Sequence, residues 1–332
     1  MAAHAFDVAG IGNSIVDVLA HADDAQLRAL GLAKGVMTLI DAQQAEHLYT
    51  RMPPGIECSG GSAANTIAGI AALGGRAAYI GKVRDDQLGE VFRHDLRSQG
   101  VAFDTPSALS GPSTARCLVF VTPDAQRSMQ TYLGACIDLG PDDIDAPMIA
   151  SAQVTYLEGY LWDPPQAKAA FRKAAAIAHE AGRKVALSLS DPFCVERHRD
   201  EFLELLAEHV DIVFANEAEL TSLYKADFDT SLRAVRAHCT IAAITRSEKG
   251  SVVVSGDDVV VQSAEAVKAV VDTTGAGDLY AAGFLYGLTH GHDLGTSARL
   301  GGICAAEIIS HVGARPEANL AELVAKTLHT TA

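Results

Sequence analysis

The sequence predicts an α/β protein: a mostly parallel sheet with helices on both faces, and a second, small β-sheet attached to it. Three observations carry this. Short apolar or β-branched runs alternate with helical stretches along most of the chain. Two regions break that rhythm with strand-like runs that have no helix between them. Near the C-terminal end a glycine loop opens a long apolar helix. Strands that alternate with helices favour a parallel sheet, because each crossover helix returns the chain to the same edge.

The first strand is the apolar run Phe6–Ile11. Asp41 is placed to cap a helix reaching about Arg51. Residues 66–73 are helical and follow a glycine pair. Residues 77–83 are strand-like, and 87–98 form a helix with Gly100 just past its end. Runs 154–158, 185–189, 212–215 and Ile241–Thr245 are the next strands, separated by helices at 166–181, 196–208 and 218–224. The interruptions are 15–20 with 36–40, and 114–121 with 128–133. The turn Thr122-Pro123-Asp124-Ala125-Gln126 makes the second pair a hairpin. A further hairpin, 251–254 with 259–262, folds around Ser255-Gly256-Asp257-Asp258. The body is therefore assigned residues 1–12, 46–107 and 136–332, and the small sheet 13–45 and 108–135, two lobes interleaved in sequence.

Composition narrows the function. The 332 residues are 48% hydrophobic and 20% charged, an ordinary globular balance with ample length for a large core. A formal net charge of -15 repels nucleic acid and anionic membranes. It does not exclude a small anion, which a local cluster of N–H groups can hold. The six cysteines form no C-x-x-C pair and read as buried small hydrophobes in a reducing compartment. The first residues show no basic stretch leading into an apolar one, and no apolar run nears the ~20 residues of a membrane span. A cytoplasmic location is the expectation.

The strongest chemical signal is Asp272-Thr273-Thr274-Gly275-Ala276-Gly277-Asp278, between a strand-like run at 267–271 and a helix at 279–290. The first N–H groups of a helix have no internal acceptor, and glycines let them approach a phosphate closely. Asp278 then stands beside an anion site, where a carboxylate is useful for orienting and deprotonating an attacking hydroxyl. The helix terminus is expected to favour its ionised form. A capping role for Asp278 is the structural alternative. Gly10-Ile11-Gly12 is no dinucleotide fingerprint, since Ile15 stands where its third glycine belongs; Gly81-Lys82 lacks the following Ser or Thr of a P-loop.

This heptapeptide, continued by Leu279-Tyr280-Ala281-Ala282-Gly283-Phe284, resembles the C-terminal signature of the ribokinase-like (PfkB) family of carbohydrate and nucleoside kinases. The resemblance implies a ribokinase-like fold with the small sheet as lid, an anion hole of Gly275, Ala276 and Gly277, and Asp278 as catalytic base. The family's other signature matches Cys58-Ser59-Gly60-Gly61-Ser62-Ala63-Ala64-Asn65-Thr66. Bare backbone at Gly60 and Gly61 would admit a sugar ring, with Ser62 and Asn65 beside it. Asn13, Ile15 and Asp17, in Gly12-Asn13-Ser14-Ile15-Val16-Asp17, resemble the family's sugar-binding start, and Asp17 is expected to accept two hydrogen bonds from neighbouring hydroxyls. Ser190-Asp191-Pro192-Phe193 and the run 127–135 look like segments of adenosine kinases. By that likeness Ile15, Leu133, Ala135 and Phe193 form an apolar slot for a flat heterocycle, and Arg127 neutralises phosphate charge as the lid shuts.

At the nucleotide end the resemblance implies ATP. Asn216-Glu217-Ala218-Glu219 matches the family's Asn-x-x-Glu, with Asn216 and Glu219 holding magnesium through its waters. The same spacing also makes a capping box. Thr245 and Gly250 match a segment lining the ATP site, with Thr274, Gly275 and Gly277 at the phosphates. Asp272 and Thr274 match two positions of a potassium site in some relatives. The reading is an ATP-dependent kinase acting on the 5′-hydroxyl of a nucleoside such as adenosine. Its alternatives are a kinase of ribose or a hexose such as fructose, and a non-catalytic nucleoside or sugar sensor on the same fold. Whether the small sheet pairs two copies into a homodimer is left open.

Overall fold

The computed structural model describes residues 5–124 and 126–329. In chain order it runs β1 (Phe6–Ile11), β2 (Ile15–His21), α1 (Asp24–Leu30), β3 (Met37–Leu39), α2 (Ala42–Tyr49), β4 (Ile56–Gly60), α3 (Ser62–Ala72), β5 (Ala77–Ile80) and α4 (Gln87–Ser98). The hairpin β6 (Ala115–Val121) and β7 (Arg127–Tyr132) follows, then α5 (Ala146–Ser151), β8 (Ala152–Glu158), α6 (Pro165–Glu180), β9 (Lys184–Ser188), α7 (Pro192–Glu208), β10 (Ile212–Asn216) and α8 (Glu217–Tyr224). The chain closes with α9 (Phe228–Val235), β11 (Ile241–Thr245), β12 (Ser251–Ser255), β13 (Asp258–Gln262), α10 (Ala276–Thr289), α11 (Leu294–Ile308) and α12 (Leu320–His329).

The large sheet has the order β13-β12-β11-β10-β9-β8-β1-β5. Its strands are parallel from β5 through β11, with β12 and β13 added antiparallel. Because side chains alternate along a strand, consecutive residues feed opposite faces. Val8, Tyr156, Phe214 and Ala243 face one core with α3, α10 and α11; Ala9, Leu157, Val213 and Ala242 face the other with α6 and α7. Ligand sites in such sheets lie at the carboxyl ends of the strands, where successive connections diverge. Here that point is β1, flanked by β5 on one side and β8 on the other.

The small sheet has the order β3-β7-β6-β2-β4. Three expectations are corrected. A helix, α1, stands between β2 and β3, capped by Asp23 with Gln26 reaching back, and the two strands are not neighbours. Strand β4, which the sequence division gave to the body, pairs antiparallel with β2 in the small sheet. The expected strand at 267–271 is absent: Val270 is 58% exposed, and the Val271 N–H donates to Ile309 O at the end of α11 rather than to a strand. The turn residue Ala125 lies outside the described residues. No described helix is long and apolar enough to cross a membrane.

Where β1 leaves the large sheet, a buried carboxylate fixes the path. Glu158, at the end of β8, accepts from the backbone N–H of Asn13 (3.3 Å), from Asn13 Nδ2 (2.7 Å) and from the backbone N–H of Ala63 in the first turn of α3 (2.8 Å). Burial nevertheless pushes its pKa up to about 7, against these hydrogen bonds. Glu158→Gln places an NH2 among donors and leaves at least one of them unpaired. We expect it to destabilise the fold by about 1–3 kcal/mol, measured as a shift in urea midpoint at constant slope; an unchanged midpoint would show the three contacts to be dispensable.

Candidate active site

The glycine loop adopts the geometry its composition suggests. Gly275 caps α10 at φ 78°, in the left-handed region open to glycine, and a Cβ there would meet Ala314 at 3.1 Å. Gly277 is flanked by open space. The Ala276 N–H turns back to Thr273 O at 3.2 Å, whereas those of Gly277 and Asp278 take no backbone acceptor among the described residues. Asp272, expected beside a potassium ion, instead anchors the loop: Oδ1 accepts from the Thr274 N–H (3.0 Å), Oδ2 from the Gly313 N–H (2.9 Å), and Arg127 lies 2.7 Å from Oδ2. Both partners of this ion pair are buried. With donors on each oxygen and a guanidinium against it, the carboxylate does not fit a potassium cradle here. The same pair carries Arg127, the first residue of β7, from the small sheet onto the anion loop.

Asp278 is the third residue of α10, not its cap. Ser62 Oγ donates to its Oδ1 (2.6 Å) and Asn65 Nδ2 to its Oδ2 (2.9 Å), both from α3. Its pKa is raised, opposite to the expectation from the helix terminus. Burial dominates, and the two hydrogen bonds and the charge of Arg315 only partly offset it. Ser62 and Asn65, read from sequence as substrate contacts, thus hold a carboxylate instead. Asp17 sits mid-strand in β2, in register between Cys58 of β4 and Cys117 of β6. Burial raises its pKa to about 6, opposed by Arg315 and Arg127 and reinforced by Asp278.

The glycine pair serves a different purpose from the one expected. A Cβ on Gly60 would lie 2.4 Å from Asp17 Oδ2, and one on Gly61, at φ 94°, 2.2 Å from Asn13 O. The bare backbone makes room for Asp17's carboxylate and for the neighbouring chain. Asn13 has its amide nitrogen on Glu158 and its carbonyl accepting from Tyr79 Oη at 2.9 Å.

The apolar slot is only partly assembled. Ile15 packs with Cys117 and Val119 on one face of the small sheet, and Leu133 is half-buried. Ala135 is fully buried and reaches no open surface. Phe193 is 64% exposed, with the Arg197 guanidinium 4.6 Å over its ring. Tyr160, absent from the sequence reading, lies closer to the carboxylates. Its hydroxyl donates to the carbonyl of Ser190 (3.2 Å), a residue held at φ 73°, and its own acidity is weakened by burial and by Asp191, Asp278 and Glu219.

At the carboxyl end of β10, Asn216 caps α8. Its Oδ1 accepts from the Glu219 N–H (2.8 Å), and both Glu219 oxygens accept from Asn216. The capping-box reading of Asn-x-x-Glu is thus formed. Burial, with Asp191 and Asp278 nearby, raises Glu219 to about 7. A carboxylate whose pKa is raised by acidic neighbours suits a divalent cation. Among the described residues no three acidic, histidine or cysteine side chains form a direct cage, so magnesium held through its waters is the arrangement these donors fit. Thr245 ends β11, and Gly250 turns at φ 82° where a Cβ would strike Gln262 O at 2.0 Å. Arg315 was also missed; it joins Asn65 and reaches Ser59 Oγ at 2.8 Å.

A family model described as pfkB family carbohydrate kinase matches residues 30–320. The chain belongs to this family. The kinase is 54% identical to the adenosine kinase from Sinorhizobium meliloti, with a TM-score of 0.90 over 99% of this chain and 100% of that one. It is 50% identical to a probable sugar kinase protein from Rhizobium etli, with a TM-score of 0.91 over 98% and 99%. It is 33% identical over 266 residues, 78% of this chain and 83% of the relative, to an ATP-dependent ribose-1-phosphate kinase of Halopiger xanaduensis. The kinase is thus a ribokinase-like alcohol phosphotransferase, and ATP as donor follows from the family.

Proposed function

We propose that this kinase transfers the γ-phosphate of ATP to the 5′-hydroxyl of a nucleoside, adenosine first. The observation that carries the reading is Asp278. Its carboxylate sits in the first turn of a glycine-capped helix, held by two donors from α3, and its charge raises the pKa of Asp17 across the site. In this reading Asp17 accepts from the ribose hydroxyls and leaves the primary hydroxyl near Asp278. The proton moves from that hydroxyl to an Asp278 carboxylate oxygen as the alcohol attacks. The raised pKa of Asp278 makes it a better acceptor than a free carboxylate, and a loose phosphoryl transition state asks mainly for position. N–H groups at the start of α10, with Arg127 released from Asp272 onto the phosphates, spread the growing charge. Magnesium, held by Asn216 and Glu219 through waters, would neutralise the phosphates when bound. The small sheet, closing over the site, excludes water so that the phosphoryl group goes to the alcohol.

Adenosine is favoured by the extent of likeness to the Sinorhizobium meliloti adenosine kinase, which spans both chains. A sugar kinase acting on ribose or fructose is the second reading. The similar likeness to the Rhizobium etli protein and the buried position of Ala135 support it. A panel of adenosine, inosine, ribose, fructose and ribose 1-phosphate with ATP and magnesium decides. We expect kcat/KM for adenosine to exceed that for ribose by about 100-fold or more, since a site built for a base loses that binding energy with a bare sugar. Turnover of ribose or fructose without adenosine would reverse the assignment.

A further inference from the structure

Arg315 lies in Gly313-Ala314-Arg315-Pro316, a loop that backs the anion site. The Gly313 N–H bonds Asp272, and Ala314 fills the space a side chain on Gly275 would need. The guanidinium then turns to the other side of the site. Nη1 donates to Asn65 Oδ1 and Nη2 to Ser59 Oγ (2.8 Å), and Ser59 Oγ in turn donates to Asp95 Oδ2 (2.6 Å). A guanidinium can only donate and an ionised carboxylate can only accept. Asn65 stands between one of each. Its oxygen must face Arg315, so its NH2 must face Asp278.

From this we infer that Arg315 is a positioning residue for phosphoryl transfer: it locks the Asn65 carboxamide so that the amide NH2 fixes the Asp278 carboxylate toward the incoming alcohol. The inference rests on the reading of Asp278 as the base. Without Arg315 the Asn65 amide is free to flip, and Asp278 keeps only Ser62. The same guanidinium is the positive charge that opposes the burial of Asp278 and Asp17. The other groups facing Asp278 are acidic or neutral at working pH: Asp17 on β2, Tyr156 and Glu158 on β8, Tyr160 after it, and Glu219 on α8. Nothing among them replaces the lost charge.

The test is steady-state kinetics against pH for Arg315→Met, Arg315→Lys, Asn65→Ala and the Asn65→Ala/Arg315→Met double variant, with the best acceptor from the panel. Arg315→Met should lower kcat by about 100-fold, the scale of a misplaced catalytic group, with nucleoside KM little changed at alkaline pH, where Asp17 stays ionised. The acid limb of its kcat profile should move up by roughly one pH unit, because removing a nearby positive charge makes the base harder to deprotonate. Arg315→Lys should return the acid limb toward wild type and restore only part of kcat, since an ammonium keeps the charge without the fork. The double variant should be no slower than Asn65→Ala. Wild-type kinetics in Arg315→Met would overturn the inference, as would losses that multiply with those of Asn65→Ala, or an Arg315→Lys as slow as Arg315→Met with the same displaced acid limb. If Asp278→Asn is inactive while Arg315→Met is not impaired, only the role of Arg315 falls; if Asp278→Asn is active, the reading of the base falls first.

Discussion

Asp278→Asn should reduce kcat by about three orders of magnitude while nucleoside and ATP still bind. The substitution keeps the shape of the side chain and removes its capacity to take a proton. General-base catalysis is worth roughly 10²- to 10⁴-fold, and the upper part of that range is expected because burial has tuned this carboxylate toward proton acceptance. The amide can still accept from Ser62 Oγ but sets its own NH2 against that of Asn65, a cost of about 1 kcal/mol that leaves the fold intact. Calorimetric titration with adenosine and with a non-hydrolysable ATP analogue should give dissociation constants close to wild type. Turnover within tenfold of wild type would remove Asp278 from the role of base, and loss of ATP binding would move it to the phosphate site.

Asp17→Ala should act on the other half of the reaction. An ionised carboxylate that accepts from two sugar hydroxyls contributes about 1.5–3 kcal/mol per bond. Losing both lowers kcat/KM by roughly 10²- to 10⁴-fold, mainly through KM. Wild type and variant should converge on a nucleoside that lacks the 2′- and 3′-hydroxyls, because neither then has the bonds to lose. With its pKa raised to about 6 by burial, Asp17 is protonated below that value. Nucleoside KM in the wild type should therefore rise as pH falls through 6, and in the variant should not. An equal loss on the dideoxy analogue would show that Asp17 shapes the lid instead of reading the sugar.

Much of the architecture was written in local pattern. Most strands of the large sheet are buried on both faces, so they read as short continuous apolar runs, and helices announce themselves by their ends, α2 by its cap at Asp41 and α4 by Gly100 just past it. Where pattern failed, the decisive contact was distant. Residues 267–271 have the composition of a strand but bond to the end of α11. The β4 run precedes a body helix and yet joins the small sheet, because its partner is β2. In the site, the glycine strings located Asp278 and Asp17 but not their supports. Glu158 ends an unremarkable strand, and its role depends on Asn13 and Ala63 arriving from elsewhere. Arg315 follows a glycine and precedes a proline, a turn signal that says nothing of where its side chain folds back. The glycine pair was found by its likeness to a family signature, which did not show that its bareness accommodates Asp17 and Asn13, far away in sequence.

That last contact also governs how the molecule breathes. Two of the passages by which the chain moves between sheets, at Asn13 and at Gly61, touch backbone to backbone, and Glu158 ties both to the rigid end of β8. In the reading of the small sheet as a lid, its opening would pivot on this point. Asp17 lies a few residues beyond the pivot on one strand, and Ser62 and Asn65 a few residues beyond it on the adjoining helix. In that reading a swing that admits the alcohol would displace its cradle while the grip on Asp278 stays fixed to the body, so the proton acceptor would be held ready before the substrate arrives and not assembled by it.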